Sequence, residues 1–95
     1  MGFDNKGTFE IYQTIKNQIG NFNDQLVRDY AEELTRIIQA KIYIGWQEVS
    51  QEYNRMKAVV ELLAVNEKYE SLNLDIDGVL GDQLMNSIID NFSLN

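Results

Sequence analysis

Ninety-five residues with 44% hydrophobic content suit one domain, because a chain of this size hides roughly 60 to 65% of its unfolded surface in a single core. The absence of cysteine and histidine excludes disulfides, thiolate nucleophiles and zinc-thiolate sites, and removes the commonest general base and transition-metal ligand. The formal charge of −7 is uneven: residues 1–57 carry eight acids against seven bases, and residues 58–95 carry seven acids against Lys68, a surface that repels nucleic-acid phosphates and attracts basic proteins.

The start, Met1-Gly2-Phe3-Asp4-Asn5-Lys6, lacks the basic-then-apolar order of a secretion signal, and Lys6 stands where myristoylation requires Ser or Thr. The longest apolar run, Leu62-Leu63-Ala64-Val65, falls far short of the roughly 18 to 20 residues of a membrane span. A soluble, cytoplasmic protein is expected. Phe9, Tyr12, Ile15 and Ile19 then recur at gaps of three and four between Thr8, a capping residue, and Gly20, which predicts a first helix near 8–19. Phe22 follows in an Asn-rich connection in which Asn23 or Asp24 caps the next helix.

From Val27 the apolar residues Ala31, Leu34, Ile38, Ile42, Gly45, Val49, Tyr53, Met56, Val60 and Leu63 continue in one phase. Asp24 before Arg28 and Glu32 before Arg36 add supporting i,i+4 charge pairs. Two architectures fit. If Gly45 closes a helix, residues 24–44 and 46–70 form an antiparallel hairpin with Trp46 at the turn. If the helix runs through Gly45, about 45 residues at ~1.5 Å each make a rod near 70 Å long that requires a partner along its seam. The unbroken phase and the lack of Asn, Asp or Pro near Gly45 favour a continuous or merely kinked helix. A short strand over 41–45 is the third reading, on its β-branched and aromatic residues. After Tyr69 a turn-rich connection leads to a last helix near 78–92 burying Leu80, Leu84, Ile88 and Phe92, with Asp77 and Asp82 at the positive end of its dipole. The expected fold is a small all-α bundle of three to four helices.

Asn73, Asp75, Asp77 and Gly78 match positions 1, 3, 5 and 6 of a helix-loop-helix calcium loop, but Leu84 stands where the bidentate carboxylate belongs. An alternating segment that packs Leu74 and Ile76 is the expectation. Gly2 and Gly7-Thr8 have the outer spacing of a phosphate loop without its lysine. Carboxylate pairs such as Glu48 with Glu52, and Asp29 with Glu32 and Glu33, lack the histidines of helical di-metal sites and read as solvated helix faces. No enzyme, cofactor or metal is expected.

In length, helical character, absence of cysteine and a central Gly45-Trp46, the chain resembles the WXG100 proteins, small helical hairpins exported as dimers by the type VII pathway. That family carries Trp-x-Gly in its turn and an export signal of tyrosine followed four residues later by an acid. Here glycine precedes Trp46, position 48 is Glu48, and Tyr53 and Tyr69 are followed at that spacing by Lys57 and Asn73. The resemblance spans two helices and implies an exported, dimeric hairpin.

The residues themselves point to a non-catalytic interaction protein, homo-oligomeric, that binds a basic surface on another protein as an inhibitor or immunity-type blocker. Glu67, Glu70, Asp75, Asp77 and Asp82 are the candidates for the charged surface, and Tyr43 and Trp46 for an apolar contact. The alternative is a self-assembling scaffold, adaptor or virion component whose seam is Ile38, Ile42, Val49 and Met56. Neither nucleic acid nor membrane is an expected partner.

Overall fold

The computed structural model describes residues 5–20 and 23–94, and every regular element among them is helical. Four α-helices, α1 (Lys6–Ile19), α2 (Asp24–Lys41), α3 (Ser50–Ala64) and α4 (Val79–Phe92), are joined by connections that contain single 3-10 turns at Trp46–Glu48 and Glu70–Leu72. Contacts run α1 to α2, α2 to α3, α3 to α4 and α4 to α1. Each pair is antiparallel: Thr8 meets Thr35 while Lys16 meets Asp24, Gln18 meets Gln83 while Glu10 meets Asn91, Lys57 meets Asp82 while Trp46 meets Phe92, and Tyr30 meets Val60 across the short turn 42–49. The result is an up-down-up-down bundle 35 × 29 × 21 Å in extent.

The long stripe does not mark one helix. α2 stops at Lys41, Ile42 is extended (φ −81°, ψ 153°), and Gly45 takes the left-handed conformation (φ 83°). α3 starts at Ser50, so the favoured continuous helix is replaced by the hairpin, and no strand forms over 41–45. The stripe keeps its phase because both arms face the same core: Val27, Ala31, Leu34 and Ile38 from α2 and Met56, Val60 and Leu63 from α3 are buried together. α3 also ends at Ala64, earlier than the expected residue 70, and Tyr69 turns into the core from the connection that follows.

In α1, Asn5 is the cap, its side chain accepting from Gly7 and Thr8 backbone N–H at 2.7 and 3.3 Å. Thr8 lies buried, its hydroxyl 2.7 Å from that of Thr35. The inward stripe of α1 is Thr8, Ile11 and Ile15, with Phe9 exposed and Tyr12 and Ile19 half-buried. Asn23 caps α2 as expected, while the expectations for Gly2 and Phe22 fall outside the described residues. α4 buries Leu80, Leu84, Ile88 and Phe92 as its periodicity predicts, and Met85 with them. Among the described residues, no helix is long and apolar enough to cross a membrane.

Candidate functional site

The bundle has two unlike ends. One holds the α2–α3 turn and the C-terminal end of α4; the other holds the long α3–α4 connection, residues 65–78, beside the end of α1. α3 runs between them, about 22 Å for 15 residues at 1.5 Å each.

At the second end the chain builds a small cavity of about 140 Å³ lined by Glu61, Ala64, Val65, Leu74, Asp75, Ile76 and Asp77. Its construction follows from the sequence. Alternation over Leu74, Asp75, Ile76 and Asp77 turns Ile76 into the core and leaves both carboxylates exposed. Gly81 lets this segment lie against α4, since a Cβ there would stand 1.7 Å from the Ile76 carbonyl oxygen. Val65 is 69% exposed and Leu62, three residues earlier, 70%, so the end of α3 adds aliphatic surface. On the other side of the connection, Asp75 also lines an open cavity of about 310 Å³ with Gln18, Ile19, Asn73, Val79 and Leu80, and Val79 is 65% exposed. Aliphatic floor and carboxylate rim therefore meet at Asp75.

Of the five acids expected to form a binding surface, Asp75 and Asp77 meet here. Glu67 and Glu70 are exposed on the same connection but line neither cavity. Asp82, in the first turn of α4, stands 3.9 Å from Lys57. Among the described residues, no group of three or more acids is arranged to hold a metal ion. Glu61, Val65, Leu62 and Val79 were not singled out by sequence. The signal for the three aliphatic ones was their place out of phase with the buried stripe, next to Leu63 and Leu80.

Trp46, expected at an apolar contact, is buried within the single chain. It is 1% exposed and its indole N–H donates to the Phe92 carbonyl at 2.9 Å, because the 3-10 turn tucks it between α3 and the end of α4. Tyr43 is 46% exposed, and the Glu52 carboxylate raises its pKa. Ile38 and Met56 of the expected seam lie in the core of the single chain, Ile42 is half-buried, and Val49 remains exposed. The inner faces of α2 and α3 cover one another, so Ile38 and Met56 are buried within the single chain.

Two further polar clusters fasten helices. Asp24 accepts from the Tyr12 hydroxyl, from Arg28 at 2.9 Å and lies 3.1 Å from Lys16. Together, Tyr12 first, these hold its carboxyl well below the usual range. Tyr69 donates to Glu33 at 2.6 Å and stacks edge-on to Tyr30, whose hydroxyl reaches the Val60 carbonyl at 2.9 Å. Burial pushes both tyrosines up, and Glu33 adds to the shift at Tyr69. Compared with protein-family models, curated proteins and solved structures, the chain matches none.

Proposed function

We propose that this chain is a non-catalytic binder that acts in the cytoplasm by blocking a basic surface on a partner protein, through the end of the bundle formed by the 65–78 connection. The observation that carries the reading is the cavity whose floor is Ala64, Val65, Leu74 and Ile76 and whose rim is Glu61, Asp75 and Asp77. At about 140 Å³ it is smaller than the roughly 300 to 1,000 Å³ of small-molecule sites. It suits one aliphatic side chain with lysine or arginine on either side. Carboxylates around an apolar anchor supply both orientation and encounter rate, and a nucleic-acid-handling partner offers the complementary charge.

The test uses a labelled amphipathic peptide of leucine and lysine, titrated against the full chain at low and high salt. The peptide should bind more weakly as salt rises, and Asp75→Lys with Asp77→Lys should weaken it about tenfold or more, the equivalent of 1.4 kcal/mol. Val65→Lys should act likewise by placing on the floor a charge of the same sign as the peptide's. If reversing Glu67 and Glu70, outside the cavity, weakens binding as much as reversing Asp75 and Asp77, the attraction is diffuse and the site is wrong.

A further inference from the structure

The opposite end of the bundle carries a second surface of different chemistry. Ile44 is 73% exposed, and Tyr43 and Val49 are exposed beside it on the same turn. Three apolar side chains on eight residues of connection are held out although the core lies directly beneath at Trp46. Their rim is of mixed sign: Lys41 and Arg55 stand with Glu48 and Glu52, and Arg55 pairs with Glu52 at 2.9 Å.

We propose that this turn is the contact between two copies of the chain, related by a two-fold axis. The charge distribution selects that occupant. A chain of net charge −7 repels its own copy wherever its acids gather, which is the 65–78 end. The turn itself, residues 41–55, is neutral, with Lys41 and Arg55 against Glu48 and Glu52 around its apolar residues. A two-fold contact sets each patch against itself, so both signs of charge, Lys41 and Arg55 with Glu48 and Glu52, are present on each side of the contact. A strongly basic partner is drawn to the far end instead.

The consequence is functional. Because α3 separates the two ends, the pair carries its acidic cavities at its far extremities, both open. Such a dimer is bivalent and binds a repeated or dimeric basic partner more tightly than one copy does, without any added contact per site. The self-association itself does not depend on the acidic cavity binding anything.

Light scattering after size exclusion, over a concentration series reaching about 1 mM, where weak contacts close, tests the proposal directly. The wild-type chain should approach twice its 11.0 kDa mass as concentration rises. Ile44→Glu should hold it at the single-chain mass with its helical circular dichroism unchanged, and Ile44→Ser, which adds no charge, should weaken association by a smaller factor. Val65→Glu, at the other end, should leave the dimer intact. A wild-type chain that stays at its single mass throughout, or a dimer that Val65→Glu splits and the Ile44 variants do not, overturns it.

Discussion

The indole of Trp46 donates its N–H to the backbone carbonyl of Phe92 across 46 positions of sequence, at 2.9 Å and out of contact with solvent. This bond ties the α2–α3 turn to the end of α4, and Gln47 continues it by bonding both the N–H and the carbonyl of Leu94. Trp46→Phe keeps most of the volume but leaves the Phe92 carbonyl without its donor, at a cost of about 1 to 3 kcal/mol. Trp46→Ala adds a cavity and should cost about 3 to 5 kcal/mol. Urea midpoints measure both. Trp46 is the single tryptophan, so the wild-type emission should be blue-shifted and move red as the bundle opens.

Two glycines matter for different reasons, and alanine separates them. At Gly81 the added methyl would meet the Ile76 carbonyl at 1.7 Å; the connection must move, and overpacking of this kind costs about 1 to 3 kcal/mol or more. At Gly45 nothing lies within 4 Å of a new Cβ, but φ is +83°, and the left-handed conformation costs a non-glycine residue about 1 to 2 kcal/mol. Gly45→Asn, which tolerates that conformation, should recover part of the loss, whereas Gly81→Asn should be worse than Gly81→Ala. Thermal melts of the four variants decide this.

The helical class, the Asn23 cap and the inner faces of α2 and α4 were readable from apolar periodicity, because there the burying neighbour covers one continuous side. The break at Gly45 was not. Its signal, a glycine with β-branched Ile42 and Ile44 around it, was outweighed by a phase that survives the turn because both arms share one core. In α1 the aromatic residues Phe9 and Tyr12 misled: the true stripe uses Thr8, whose hydroxyl is satisfied by Thr35, a partner 27 residues away that no local pattern reveals. The acids of the candidate site were visible as a composition bias. Which of them share a cavity depends on where residues 73–77 fold back, and that is set by the tight approach at Gly81.

Asp24 gives the acid limb of stability. Its carboxylate is stabilised in the folded bundle by Tyr12, Arg28 and Lys16, so its pKa is lowered from the ordinary value of 3.8. The contribution is present above that value and is lost as pH falls below it, since the unfolded chain takes up the proton first. Asp24→Asn should lower stability at neutral pH and make the acid-unfolding profile shallower between about pH 4 and pH 2. An unchanged slope would place the acid sensitivity elsewhere.

The alkaline limb draws chiefly on the two buried tyrosines, Tyr30 and Tyr69, both raised above the ordinary value of 10.0, with exposed Tyr43 raised as well. The unfolded chain releases these protons first, so stability is complete below pH 10 and declines as pH rises past it. Tyr69→Phe removes one of the two titrations together with the bond to Glu33. It should therefore start less stable at neutral pH and lose less on going from pH 9 to about pH 11. Circular dichroism in urea at several pH values reads both effects.

Two buried hydroxyl sites make opposite predictions. Thr35 donates to the Ala31 carbonyl at 2.8 Å and meets the Thr8 hydroxyl at 2.7 Å, so Thr35→Val keeps the shape while leaving the Thr8 hydroxyl without its partner. Such a buried orphan costs about 1 to 3 kcal/mol. Ser87, on α4, already has a buried hydroxyl with no hydrogen-bond partner among the described residues, and its desolvation is uncompensated. Ser87→Ala should therefore be neutral or stabilising, by up to about 1 kcal/mol. The double change Thr8→Val with Thr35→Val should recover much of what Thr35→Val loses, because both members of the pair are then apolar. If Ser87→Ala were as damaging as Thr35→Val, the Ser87 hydroxyl would have to be making a bond in solution.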